Sequence, residues 1–110
     1  MPGSYPVAAV SRIEALVAAH RAAQTDHRSA LAAEDRRALL AADRRAAAIV
    51  ESLRDLGAAP IADGLVAESH SGDALIVALT CDGPGHDEVD IAMSNYRNQR
   101  DRVSAGVASV

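Results

Sequence analysis

The sequence has almost no aromatic residues, since its 110 residues include two tyrosines but no phenylalanine or tryptophan. Hydrophobic residues nevertheless make up 49% of the chain, and alanine is the most frequent of them. A core of Ala, Val, Leu and Ile suits helices that approach one another closely better than a pocket shaped around a large ligand. The composition therefore favours a structural or interaction protein over an enzyme.

Cysteine is also scarce. Cys81 has no partner for an intramolecular disulfide, which fits a reducing compartment. Arg12 and Glu14 interrupt the first apolar run, and no basic residue precedes it, so the N-terminus is a poor signal peptide. No run approaches the length of a membrane span. We expect a cytoplasmic protein with no membrane partner.

Sequence motifs of catalysis and cofactor binding are missing too. The chain contains no Gly-rich phosphate loop, no Gly-x-Ser-x-Gly elbow, no Cys-x-x-Cys pair and no His-Glu-x-x-His motif. Ser69, His70 and Asp73 have the residue types of a catalytic triad, but they are too close together in the chain to converge. We therefore expect no cofactor and no catalytic residues.

Lysine is absent, so all 11 basic residues are arginines, and the formal net charge is −4. The charge is unevenly distributed. Residues 1–57 carry eight arginines and seven acids, net +1, whereas residues 58–110 carry three arginines and eight acids, net −5. The acidic second half should repel nucleic acid.

The longest regular pattern is the Ala30–Leu56 stretch, which contains no Gly, Pro or Thr. Its apolar positions recur at spacings of three and four, which predicts a helix with one apolar face, suited to a coiled coil. The spacing continues back to Val10, and we call the whole stripe the apolar seam. The seam residues expected to form a self-association interface are Val10, Ile13, Val17, Leu31, Leu39, Ala42, Ala46, Ile49, Leu53 and Leu56.

Two arrangements are open for this helical region, residues 8–56, which follows an irregular N-terminus at residues 1–7. The weak helix formers at 25–29 allow a turn, with Asp26 or Ser29 capping the next helix. Alternatively, one long helix passes through them. We favour the continuous helix because the seam keeps its spacing there and no Gly or Pro interrupts it.

The rest of the chain predicts a β-hairpin and a second helix. Gly57 should end the long helix in the left-handed conformation, and Pro60 prevents its continuation. Two apolar runs within residues 61–81 flank Ser71-Gly72 and predict a hairpin, and residues 87–104 predict a helix with acids in its first turn. We expect one α+β domain, residues 1–110, that oligomerises because an isolated hairpin is marginally stable.

Two groups of residues are weak candidates for a metal site. His20 and His27 share a face of the predicted helix, but helical metal sites usually place ligands three or four residues apart. A polar break that fixes helix register explains them better. The Cys81–Glu88 loop contains thiol, imidazole and carboxylate groups, but its spacing matches no metal motif, and a cysteine that ends an apolar strand is usually inert.

The arginine pairs of the long helix form a possible nucleic-acid surface. Glu34, Asp35 and Asp43 lie close to them and neutralise much of their charge, and no aromatic residue is interleaved for base stacking. A solvated, self-paired face is the favoured interpretation. The candidate residues are Arg36, Arg37, Arg44 and Arg45.

These observations favour a non-enzymatic structural or assembly subunit that binds itself, as a homodimer or larger oligomer, and other protein subunits of a particle such as a phage or another multi-subunit complex. The first alternative is a small dimeric regulatory or nucleic-acid-binding protein that uses the arginine-rich helix. The second is a metal-binding protein or enzyme that uses His20 and His27 or the Cys81–Glu88 loop.

Overall fold

The computed structural model describes residues 5–80 and 86–110, and these residues form four α-helices. The helices are α1 (Val7–Ala32), α2 (Arg36–Asp55), α3 (Ala59–Thr80) and α4 (His86–Ala108). The described residues contain no β-strand. The predicted α+β fold is therefore wrong, and the protein is all-α.

Neither predicted arrangement is correct: the helical region is not one continuous helix, and it has no turn at 25–29. It is broken instead at residues 33–35. Glu34 adopts a left-handed conformation, with φ 55°. The amide of Asp35 donates to the carbonyl of Ala30 at 2.9 Å, and that of Glu34 donates to Leu31 at 3.1 Å, which closes α1 with a Schellman motif. Asp35 then caps α2, because its Oδ1 accepts from the amide of Ala38 at 3.1 Å.

The predicted helix end at Leu56-Gly57 is confirmed. Gly57 has φ 77°, and the amide of Ala58 donates to the carbonyl of Leu53 at 2.9 Å. The hydroxyl of Tyr5 donates to the carbonyl of Gly57 at 2.8 Å and ties the N-terminus to this turn. Pro60 lies in the first turn of α3, where its missing amide hydrogen breaks no helical hydrogen bond.

The predicted hairpin at residues 61–81 is replaced by α3, which runs through Ser71-Gly72 without a turn. Glycine weakens a helix interior, but here the lack of a side chain allows close packing. A Cβ on Gly64 would lie 3.0 Å from Cγ2 of Val103 in α4, and one on Gly72 would collide with the Arg28 side chain. Contacts with other helices therefore favour helix where the local sequence favoured a turn.

The helices form two antiparallel hairpins, α1–α2 and α3–α4, and α3 runs parallel to α1. Side chains of α1 and α3 meet where Arg21 contacts Glu68, and α4 contacts α3 along its length. The whole measures 49 × 33 × 15 Å, so it is long and flat. Helix α4 covers the predicted range 87–104 and extends to Ala108.

The apolar core lies at one end of the molecule, which we call the proximal end. This end contains the start of α1, the end of α2, the start of α3 and the end of α4. The buried core residues are Ile13, Leu16, Val17, Leu53, Ala58, Ile61, Ala62, Leu65 and Val103. The opposite, distal end contains the 33–35 turn and the facing ends of α3 and α4, and it contributes no residue to this core.

Candidate functional site

A buried polar cluster lies next to the apolar core, and Glu68 of α3 is at its centre. The Glu68 side chain is fully buried. Arg21 of α1 approaches it with Nη2 at 2.9 Å and Nε at 3.3 Å from Oε1, and Gln24 Nε2 donates to Oε2 at 2.9 Å. Arg100 Nε of α4 lies 4.0 Å from Oε1. One carboxylate thus joins three helices.

Gln24 links this carboxylate to His20, one turn earlier in α1. Its amide nitrogen is 3.0 Å from His20 Nδ1 and 2.9 Å from Glu68 Oε2, so its two hydrogens satisfy both acceptors. This arrangement requires Nδ1 of His20 to be unprotonated. Burial lowers the pKa of His20, and Arg21 lowers it further, whereas Glu68 opposes the shift. His20 is therefore held neutral.

Arg28, two turns beyond Arg21 in α1, extends the cluster toward the distal end. Its Cζ lies 5.9 Å from the centroid of the Tyr96 ring, and Cζ of Arg100 lies 5.8 Å from the same centroid. The Arg28 side chain occupies the space that a Cβ on Gly72 would fill. Two cations and one aromatic ring from α1 and α4 therefore pack together against the backbone of α3.

The cluster has more positive than negative charge. Arg21 and Arg100 lie within 4.0 Å of Glu68, whereas no carboxylate of the described residues lies that close to the Arg28 guanidinium. His20 adds no charge in its neutral form. The arrangement joins the two helical hairpins and can also hold an anion, because guanidinium groups bind carboxylate and phosphate oxygens.

A second candidate site is the apolar surface of the distal end. Six of the seven large apolar side chains that are exposed in the described residues lie there, and their exposed fractions range from 41% for Met93 to 61% for Ile91. The seventh, Val7, lies at the proximal end. We call the six the distal apolar surface; they are Leu31, Leu40, Val77, Leu79, Ile91 and Met93.

The apolar seam lies mostly within the chain, because the turn at 33–35 folds it back on itself. Four seam residues are buried: Ile13, Val17, Ala42 and Leu53. Five are half-buried: Val10, Leu39, Ala46, Ile49 and Leu56. Leu31 is exposed, and it is the one seam residue that belongs to the distal apolar surface.

The structure separates the two histidines that were weak metal candidates. His20 faces Gln24 inside the polar cluster, whereas Nε2 of His27 lies 3.8 Å from Oδ1 of Asp43 in α2. Across residues 5–80 and 86–110, no three or more His, Cys, Asp or Glu side chains converge in a metal-binding arrangement. Most of the Cys81–Glu88 loop lies outside the described residues.

The four arginines of the possible nucleic-acid surface are exposed on α2. Arg45 donates to Oδ2 of Asp26 at 3.0 Å, an ion pair between α2 and α1 that uses one of the four charges within the chain. This partner is an acid of α1 and not one of the neighbouring acids, Glu34, Asp35 and Asp43, that the sequence suggested. The other three arginines of this surface are Arg36, Arg37 and Arg44.

Sequence reasoning identified His20 as part of a polar break in the predicted helix but missed its partners in the polar cluster. Glu68 falls within the hairpin predicted at residues 61–81, and Tyr96 within the helix predicted at residues 87–104. Gly72, in the middle of an apolar segment, was the available signal, since an isolated glycine often marks close approach of another group.

Comparisons with family models, with curated proteins and with solved structures give no match to this chain. None of the helices in the described part of the chain is long and apolar enough to cross a membrane.

Proposed function

We propose that this chain is a non-enzymatic structural subunit that assembles with copies of itself, as part of a larger particle or multi-subunit complex. The observation that carries the proposal is the position of the apolar residues. The proximal end buries its apolar side chains in a core, whereas the distal end exposes six of them. Large apolar side chains that are exposed at one end of a molecule are typical of surfaces that another protein chain covers. The single cysteine favours a cytoplasmic assembly.

The accessible surface area supports this proposal. The chain exposes 6992 Å², whereas a compact monomer of its mass would expose about 5,800 Å². The excess of about 1,200 Å² exceeds the roughly 800 Å² that each partner contributes to a standard protein interface. The flat shape thus leaves enough surface for a stable contact with a second copy.

The directions of the exposed side chains favour an assembly larger than a dimer. Val77 and Leu79 are two residues apart in α3, so they point about 200° apart around the helix axis. Ile91 and Met93 have the same relation in α4. A single flat partner surface cannot contact both members of either pair. A distal end that lies between two or more neighbouring copies covers all four residues.

Light scattering coupled to size-exclusion chromatography tests the proposal. At tens of micromolar, we expect a mass of at least twice the 11.4 kDa of one chain. The Leu40→Glu and Ile91→Glu variants should shift this mass toward the monomer, because each places a charge on the distal apolar surface.

Val7→Glu is the matched control. Val7 is 84% exposed, more than any residue of the distal apolar surface, but it lies at the proximal end. This variant should keep the wild-type mass. A monodisperse monomer of the wild-type chain at tens of micromolar would contradict the proposal. An equal loss of mass in the Val7→Glu variant would contradict the assigned surface.

A further inference from the structure

The guanidinium of Arg28 has one edge that is buried without a hydrogen-bond partner. Nε and Nη2 of Arg28 are both inaccessible to solvent, and neither donates to an acceptor in the described residues. These two nitrogens form the side-on edge of the planar group, which binds two oxygens of one carboxylate or phosphate in parallel. A buried donor without an acceptor is costly, and a buried charge without a partner more so.

The position of this guanidinium is determined by groups from two other helices. The Tyr96 ring of α4 lies 5.9 Å from Arg28 Cζ, and Gly72 of α3 leaves the space that the side chain occupies. Any other residue at position 72 would displace the guanidinium. These contacts hold the Arg28 guanidinium against α3 in the absence of a ligand.

The buried carboxylate of the polar cluster, Glu68, already has hydrogen-bond partners. Both oxygens of Glu68 accept hydrogen bonds, from Arg21 and from Gln24, at 2.9 Å. Arg100 is 4.0 Å from the same carboxylate and stacks near Tyr96 as well. Glu68 thus pairs with Arg21 and Arg100, whereas Arg28 has no carboxylate within 4.0 Å among the residues described.

We propose that Arg28 binds an oxyanion, the carboxylate or phosphate group of a ligand, through Nε and Nη2, with Arg100 supplying a second positive charge beside Tyr96. Arg28 itself is half-buried, so the site lies just beneath the surface. Because Nε and Nη2 are inaccessible to solvent, an oxyanion reaches them only when the side chains around Arg28 move apart. The residues of this site, Arg28, Tyr96 and Arg100, are different from those of the distal apolar surface.

Thermal unfolding measured with sodium phosphate, sodium acetate and sodium chloride at equal ionic strength tests the proposal. An anion that binds the folded chain alone raises Tm, and at ten times its Kd the rise is roughly 5 °C above the chloride value. Phosphate also stabilises proteins non-specifically by its exclusion from their surfaces. The comparison that matters is therefore between variants in the same salt.

The Arg28→Gln variant should lose the anion-specific rise, whereas Arg12→Gln, an exposed arginine of the same helix, should keep it. Arg28→Lys retains the charge but not the side-on edge, so it should also lose the rise. In the wild-type protein, the Nε–H NMR signal of Arg28, assigned by its through-bond connection to the Arg28 backbone, should shift saturably with the anion that binds.

The salt that produces the Arg28-dependent rise identifies the ligand class, phosphate or carboxylate. Equal increments in the wild type, Arg28→Gln and Arg12→Gln would overturn the proposal. So would a wild-type Nε–H signal of Arg28 that does not move with either anion, and this second measurement needs no folded variant.

Discussion

Replacing Glu68 with glutamine should destabilise the protein strongly. The substitution keeps the side-chain shape but removes the carboxylate that Arg21 and Gln24 contact at 2.9 Å. Removing one member of a buried ion pair costs about 3–5 kcal/mol. Because the Arg21 side chain is 29% exposed and can regain water, we expect a loss near the lower limit, about 3 kcal/mol.

The assay is urea unfolding at fixed protein concentration, followed by circular dichroism at the helix band. The control is Glu14→Gln, which neutralises an exposed acid of α1 and should change the free energy of unfolding by no more than about 0.5 kcal/mol. The Arg21→Gln/Glu68→Gln double variant should lose less free energy of unfolding than the sum of the losses in the two single variants, because the two side chains contact each other.

A loss below about 1 kcal/mol for Glu68→Gln would refute the reasoning, because that is the net value of an ordinary hydrogen bond. It would mean that the carboxylate contributes no more than a neutral acceptor. Strict additivity in the double variant would refute the pairing of Glu68 with Arg21 in the same way.

Two further predictions concern the turn between α1 and α2 and the buried histidine. Glu34→Gly should stabilise the protein by about 1 kcal/mol in the same urea assay, because the left-handed conformation costs a residue with a side chain about that much. The control Glu14→Gly, within α1, should destabilise it by a similar amount. A lower free energy of unfolding for Glu34→Gly would contradict the left-handed conformation of residue 34. Burial lowers the pKa of His20, so the unfolded chain binds the His20 proton more tightly than the folded chain does. The free energy of unfolding should therefore keep its full value above about pH 6.5 and decrease as the pH falls below that value. The His20→Gln variant should lose this part of the pH dependence, and the exposed His70→Gln variant should retain it; equal pH profiles for both would contradict the assignment.

The turns show what local sequence could predict. Gly57 followed by Pro60 identified the end of α2, because glycine accepts a positive φ and proline cannot continue a helix. The turn at Glu34 has the same hydrogen bonds but no glycine, so its sequence looks like uninterrupted helix. Asp35 was the available signal, as an N-cap residue three positions before Ala38, but acids are also common inside helices.

The error over α3 has a different cause. Its sequence combines two apolar runs with a Ser71-Gly72 pair, and locally this favours a strand, a turn and a strand. Gly72 is helical because Arg28 and Tyr96 pack against it, and both are more than 20 residues away in the chain. Contacts of that kind also create the polar cluster around Glu68, so no local pattern could have assembled it.

The restriction of the apolar core to the proximal end implies that the four helices are not equally protected along their length. Backbone amides near Leu53 and Leu65, which are fully buried, should exchange with deuterium only on global unfolding. Those near Leu40 and Ile91 should exchange through local opening, faster by orders of magnitude in the isolated chain. If the proposed assembly forms, it would add protection at that end alone. Exchange rates at the distal end would then report on the assembly, and rates in the core on the fold.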